Sequence, residues 1–419
     1  MKTLKLTVMA LAAIFTLGLA SCNDSKDEPN NGGTTLSEGD KLLQEVLAQN
    51  VDGNINYTYK ELADSTNQLY EALQQMRTAS KTNSVTQEMV NDACDKFLKA
   101  RSNYEQSEAF LLGAAADFSI DPHIDSWPLD LSQLLILFES PKMIENLDGE
   151  NGPEVANNSL GQSLLGFHGI EFILFRDGQP RKAAELNANG HDSYNEDNLD
   201  FTQFTGEYEL IYATAVCGDL RNSVYRLETS WNAEAPKSHF DIMEALEWST
   251  VTTTSGISYG ENMKKAGVIG STYTSVKNAV SAVLVGDGGA AGISDEVGNV
   301  KINNPFSGED ISYIESPYSH NSLTDFWHNI QSIKNTWMGG RPESRNSAKS
   351  FEAYFKKYAP EINTEVEEAL DDAQAKIYAI PAPFVLNYNS PKCQAAIEAC
   401  QKVTNALNKA NDFIQNTNK

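Results

Sequence analysis

From about residue 41 to the C-terminus, apolar side chains recur at intervals of three and four, the spacing that lines up one face of an α-helix. The repeat is clear in YTYKELADSTNQLYEALQQMRT (57–78), in TQEMVNDACDKFLKARSNYEQSEAFLLGAA (86–115), which opens on Thr86 as a cap, and in DNLDFTQFTGEYELIYATAVCGDLRNSVYRLETSW (197–231). It continues through HFDIMEALEWSTV, SYGENMKKAGVIGSTYTSVKNAVSAVL, SLTDFWHNIQSIKNTWM, EINTEVEEALDDAQAKIYAI and KCQAAIEACQKVTNALNKANDFI. No stretch alternates apolar and polar residues as a half-buried strand would. Helices with one polar face bury the other by packing side by side, so the pattern predicts an all-α, two-lobed helical bundle protein. Two stretches, 177–198 and 286–322, are predicted as loop-rich interruptions. The length beyond residue 40 suits two domains, and the first interruption places their junction near residue 195, giving lobes 41–195 and 196–419.

The first forty residues break the pattern. MKTLKLTVMALAAIFTLGLASC has a start charged by Lys2 and Lys5, an apolar run to Leu19, and a small-residue box ending in Cys22. This is the form of a lipoprotein signal peptide, residues 1–21, with Cys22 as the lipid acceptor. The apolar run is too short to be retained as a membrane span. Residues 22–40 are polar, acidic and rich in Gly, Asn and Pro, as expected of a disordered tether. The expected location is therefore the cell envelope, at the outer membrane, on its periplasmic or its surface-exposed side.

Loss of residues 1–21 removes two lysines and no acid, moving the formal charge from −25 to −27. A chain this acidic repels phosphates, which argues against nucleic acid as a partner and favours capture of cations. Of the cysteines other than Cys22, Cys393 and Cys400 lie seven apart on one predicted helix, roughly 10 Å along its axis, too far to bridge each other. With no Cys-x-x-Cys or Cys/His ligand spacing present, Cys94, Cys217, Cys393 and Cys400 are expected as small buried hydrophobes.

Candidate chemistry is concentrated in LLGFHGIEFILF, residues 164–175. His168 and Glu171 stand at i and i+3, on one helical face, within a run apolar on nearly every side. A buried carboxylate needs a partner, because unpaired it either takes up a proton or destabilises the fold by several kcal/mol. Gly166 and Gly169 each cost roughly 1 kcal/mol against alanine in a helix, so something approaches closely there, either a neighbouring helix or a ligand.

GFHGIE, Gly166 to Glu171, resembles the GxHxxE motif of the imelysin-like family. Two further blocks fall in that family's order. ARSNYEQSEAFLLGAAADFSIDPHIDSWPLDL resembles its first-lobe signature, with Glu108 before Phe110 and Asp125 within Ile124 to Pro128; ESPYSHNSLTDFWHNIQSI, Glu315 to Ile333, resembles its second-lobe serine-rich turn and helix. The resemblance implies a two-lobed helical protein with a site near the motif helix, iron uptake or divalent metal binding, and convergence of His168, Glu171, Glu108 and Asp125 as metal ligands. Such a mixed imidazole and carboxylate set suits iron foremost by family association, or manganese or zinc. The family's former classification as metallopeptidases supplies the rival reading. It is short of ligands here: HExxH zinc sites supply two histidines on one helix, and the reversed HxxEH form needs a histidine where Phe172 stands. A surface interaction protein with a purely structural motif is the third reading.

The other motifs read as structural. Ser322 and Asp325 form an S-x-x-D capping box, which assigns Asp325 to backbone N–H groups and His328 to the surface or an interface. GISYG around Ser258 matches a nucleophile elbow in letters, but that turn requires a strand before it and a sheet beneath it.

Overall fold

A computed structural model describes residues 36–417 except 197 and 253. The signal peptide, Cys22 and most of the tether lie outside the described residues. Ser37 Oγ accepts the Asp40 amide at 3.0 Å and starts the helix Glu38–Gln49, so the last residues assigned to the tether are already helical. That helix passes through a π-helical turn, Asn50–Ile55, into the long helix Asn56–Ser80. Thr86 caps Gln87–Glu105 through the Met89 amide at 3.3 Å, as its position predicts. Among the described residues, paired strands are two short hairpins, Phe175–Arg176 with Gln179–Pro180 and Asn195–Glu196 with Leu199–Asp200. Cys94, Cys217, Cys393 and Cys400 are free and buried.

Two groups of helices share the core. In the first, Asn56–Ser80 packs along Gly206–Trp231 and against Gln87–Glu105, while Gly152–Ser159 and the motif helix Gly166–Leu174 lie on Gly206–Trp231. In the second, Lys392–Asn416 packs against Pro360–Ala379, Val276–Val285 and Ala290–Glu296, and Ser322–Met338 against Pro360–Ala379. Gln87–Glu105 lies on Ser322–Met338 and joins the groups. Packing therefore does not follow the division expected near residue 195. Gly206–Trp231 sits with the first group, and Glu38–Gln49 packs on Val276–Val285 in the second. Gly206–Trp231 is buried along nearly its whole length, and a helix covered on all sides carries no single apolar stripe saying which neighbours it will have.

The stretch 286–322, expected as loop, is helical over much of its length: Ala290–Glu296 runs into a second π-helical turn, Val297–Ile302, and then Asn303–Ser307. One of its glycines serves close packing. A Cβ added at Gly298 would stand 3.0 Å from Cys400 Cβ, so the glycine lets this turn lie against Lys392–Asn416. Tertiary contact overrides the low helix propensity of glycine here.

Candidate functional site

Segments far apart in sequence carry ionisable side chains into one buried layer. Gln87–Glu105 contributes Arg101 and Glu105, one turn apart, and the turns after it contribute Glu108. Asp125 follows the short helix Asp121–Ile124, Lys301 lies on the second π-helical turn, Glu315 precedes Ser322–Met338, and Asp325 lies within that helix. Together with His168 and Glu171, none of these side chains belongs to a residue more than 9% exposed.

The motif glycine explains how two of them meet. Gly166 opens its helix at φ +73°, and a Cβ there would lie 1.9 Å from the carbonyl oxygen of Ile124. Only a glycine lets the backbone before Asp125 approach this closely in that conformation. Two residues on, His168 Nε2 stands 3.3 Å from Asp125 Oδ1, and His168 Nδ1 stands 3.3 Å from Glu171 Oε2. Gly169 makes room for the Tyr212 hydroxyl, which donates to Leu164 O at 2.7 Å. Here the close approach is by a neighbouring helix.

Glu171 also reaches the third block of sequence. Its Oε1 accepts the Tyr318 amide at 3.1 Å, the Ser319 amide at 2.8 Å and the Ser319 hydroxyl at 2.6 Å. The motif glutamate thus fastens the serine-rich turn to His168, fixing the imidazole's orientation.

Arg101 sits at the centre, a residue that neither motif nor periodicity singles out. Its guanidinium donates to Asp125 and Glu315, lies 2.5 Å from Glu105 Oε1, and has Nε 3.6 Å from Asp325 Oδ2. Lys301 Nζ is 3.1 Å from Glu315 Oε1 and 3.9 Å from Glu108 Oε2. Asp325 accepts the Ser316 hydroxyl and the Asn321 side-chain amide, each at 2.6 Å, and so belongs to this layer instead of capping backbone N–H groups as the S-x-x-D spacing suggests. Ser322 Oγ donates to Glu315 O at 2.5 Å. His328 is half-buried, with Nε2 3.4 Å from Ser102 Oγ; burial and the nearby Arg341 and Lys99 push its pKa down to about 4. Ser258 caps the helix Tyr259–Lys264 through the Glu261 amide at 3.2 Å, a structural use of the GISYG serine.

Among the described residues, two sets of three ligating side chains converge: Asp125, His168 and Glu315, and Glu105, Glu108 and Asp125, with the offered atoms of each set within 4.8 Å of one another. Asp125 belongs to both. The structure therefore brings His168 and Asp125 into one set and Glu108 into the adjacent one, while Glu171 stands behind His168. Glu315 and Glu105 complete the sets. Glu315 opens the serine-rich block, and Glu105 lies three residues before Glu108, a spacing that places two acids on one side of a helical turn.

By hydrogen-bond geometry four buried atoms of these side chains lack a partner: Arg101 Nε, 3.6 Å from Asp325 Oδ2; Glu105 Oε1, 2.5 Å from the Arg101 guanidinium; His168 Nε2, 3.3 Å from Asp125 Oδ1; and Glu315 Oε2. Buried polar atoms ordinarily have partners, so an open carboxylate oxygen such as Glu315 Oε2 in a layer of ligating groups fits a cation. The titration of the site follows from its neighbours. Burial opposes a charged His168, but hydrogen bonds to Asp125 and Glu171 outweigh it and hold its pKa up to about 9. Burial likewise opposes ionised Asp125, and Arg101 and His168 outweigh it, bringing that carboxyl down to about 2. Burial prevails at Glu105 and Glu108, pushing both well above the carboxylate range, and raises Asp325 to about 7.

Comparison with known proteins bears on the family and the fold. The chain is 23% identical over 366 residues to iron-regulated protein A of Synechococcus elongatus, covering 87% of this chain and 84% of the relative. It superposes with a TM-score of 0.70 on the crystal structure of an iron-regulated protein A precursor from Parabacteroides distasonis, at 27% identity, covering 90% of this chain and 97% of the other. An imelysin-like protein from Psychrobacter arcticum shares the fold at a TM-score of 0.50 and 12% identity, with 91% and 96% of the two chains covered. The sequence model of the Imelysin family, Peptidase_M75, matches residues 55–410, the span that holds the GxHxxE helix, the acidic turns after Gln87–Glu105 and the serine-rich turn, and the chain is a member of that family.

Proposed function

We propose that this protein binds a metal ion through Asp125, His168 and Glu315 and supports iron or other metal uptake at the cell envelope, held to the outer membrane by lipid on Cys22. The observation that carries the reading is the convergence of these three buried side chains from separate segments, with Glu315 Oε2 left without a hydrogen-bond partner. One imidazole and two carboxylates suit iron, manganese or zinc. The name iron-regulated protein A, borne by two of the relatives, favours iron. Glu171 and Arg101 serve as positioning groups, the first behind the imidazole and the second behind Asp125 and Glu315. The metallopeptidase reading assigns Glu171 to activating a water. Three donors already occupy its Oε1, and its Oε2 faces His168.

The test is metal analysis and thermal unfolding of the lipid-free protein, purified without chelator or polyhistidine tag. Free metal a hundredfold above its dissociation constant stabilises a folded chain by about 2.7 kcal/mol. Wild type should gain this with iron(II), manganese(II) or zinc(II), while His168→Ala and Glu315→Ala should not. Equal responses of wild type and both variants to all three ions would end the metal reading. Anchoring is tested separately by metabolic labelling with a lipid precursor: wild type should incorporate it and Cys22→Ala should not, and an unlabelled wild type refutes the anchor.

A further inference from the structure

Outside the two ligand sets, the long helix Gly206–Trp231 carries a polar stripe: Asp219, Ser223 and Arg226 stand at i, i+4 and i+7, on one face. Ser223 and Arg226 line a cavity of about 260 Å³ together with His123, Asn157 and Gln162. Arg226 dominates its charge. The guanidinium carbon lies 3.7 Å from the centre of the Phe118 ring and 5.4 Å from that of Trp248, contacts that hold the group in place. Nε donates to Ser249 O at 3.0 Å, and among the described residues nothing pairs with the two Nη groups. Burial lowers the pKa of Arg226, and the group that opposes this is Tyr259, not a carboxylate. In a chain of net charge −25, this half-buried cation is left without a counter-ion.

The acid on the same face is engaged elsewhere. Asp219 is 1% exposed; its Oδ2 stands 2.7 Å from His123 Nε2, and its Oδ1 accepts the Asn157 side-chain amide at 2.9 Å. Asn157 Nδ2 also lies 3.2 Å from His123 Nε2, but the closer carboxylate decides the tautomer. A carboxylate accepts, so the ring proton sits on Nε2 and Nδ1 is left as an acceptor without a protein partner.

We infer that this cavity is a second binding site, for a small oxyanion that carries a hydroxyl group: the Nη fork of Arg226 takes the anionic oxygens and His123 Nδ1 accepts from the hydroxyl. Such a fork matches carboxylate and phosphate alike. The Asn157 and Gln162 amides and the Ser223 hydroxyl supply further hydrogen bonds to a polar molecule. The volume calls for a compact one, since drug-sized ligands occupy roughly 300–1,000 Å³. The site stands apart from the metal reading, and neither depends on the other.

The experiment is calorimetric titration of the lipid-free protein, stripped of metal with chelator and desalted. The probes are malate and glycerol 3-phosphate, with succinate and inorganic phosphate as their counterparts lacking the hydroxyl. Wild type should bind malate, glycerol 3-phosphate or both, which tells carboxylate from phosphate, and should bind the counterparts more weakly. Arg226→Gln removes the charge and should lower affinity at least about tenfold, the loss expected for a hydrogen bond to a charged group. Gln162 is exposed, so Gln162→Glu should fold normally while placing a negative charge beside the ligand, and it should lower affinity likewise. That variant decides the matter where Arg226→Gln does not fold. Failure of wild type to bind malate or glycerol 3-phosphate at millimolar concentration overturns the site, as does wild-type affinity in Gln162→Glu or in a folded Arg226→Gln. Counterparts bound as tightly as the hydroxylated probes overturn the part given to His123.

Discussion

Replacing Arg101 with methionine keeps most of the side chain's bulk and removes the guanidinium shared by Glu105, Asp125, Glu315 and Asp325. All four carboxylates are buried, so none can turn to water for compensation. Breaking a buried ion pair by removing one partner costs about 3–5 kcal/mol, because the remaining charge is left uncompensated. Unfolding entropy near 2.1 cal/mol/K per residue gives roughly 0.8 kcal/mol/K over the described residues, so Arg101→Met should lower the melting temperature by about 4–6 °C. The loss has a pH signature. Without Arg101 the carboxylates are harder to ionise in the folded state than in the unfolded one, so the deficit should be largest above about pH 8 and should shrink near pH 5 as they take up protons. Glu105 and Asp325, whose carboxyls are already raised, should lead this recovery. Calorimetric melts of wild type and variant at both pH values provide the assay. A melting temperature within about 1 °C of wild type at both values, or a larger deficit in acid, would refute the view that Arg101 compensates this layer.

Gly166→Ala forces a side chain into left-handed backbone, costing about 1–2 kcal/mol, and onto the Ile124 carbonyl 1.9 Å away, so the variant should melt lower and bind metal more weakly; wild-type values for both would refute the role given to this glycine. Glu171→Ala leaves the Tyr318 and Ser319 amides without their acceptor, at about 1–3 kcal/mol, and frees His168 to rotate; limited proteolysis should then cut near residues 316–320, and an uncut turn counts against the contact. Metal affinity of that variant should fall roughly 10–100-fold, measured by chelator competition, and undiminished affinity would show that Glu171 does not orient the imidazole. His168, raised from 6.5 to about 9, should make its full contribution to folding stability below about pH 6.5 and lose it as pH rises through 9. The stability gap between wild type and His168→Gln in the absence of metal should therefore narrow over that interval, and a gap independent of pH would refute the protonated bridge.

The amino-acid sequence determined the helical architecture, because a three-and-four apolar repeat is a local property that needs no knowledge of neighbours. It also marked His168 and Glu171, whose i, i+3 spacing and apolar surroundings demand partners wherever the helix is placed. Glu108 and Asp125 entered through likeness to a family, not through spacing. The partners themselves belong to the tertiary structure. Arg101 looks in sequence like one more basic residue on a polar helix face, and only the packing of Gln87–Glu105 against Ser322–Met338 turns it inward among four acids. Lys301 was hidden in a glycine-rich stretch expected to be loop, which becomes helical because Gly298 lets it pack against Lys392–Asn416. Asp325 has the spacing of a helix cap, yet Ser316 and Asn321 draw it into the buried layer. Local rules fix which residues share a helix face, whereas burial removes water from charges that meet only when distant segments pack, and that step decides which of them compensate one another and which remain open to a metal ion.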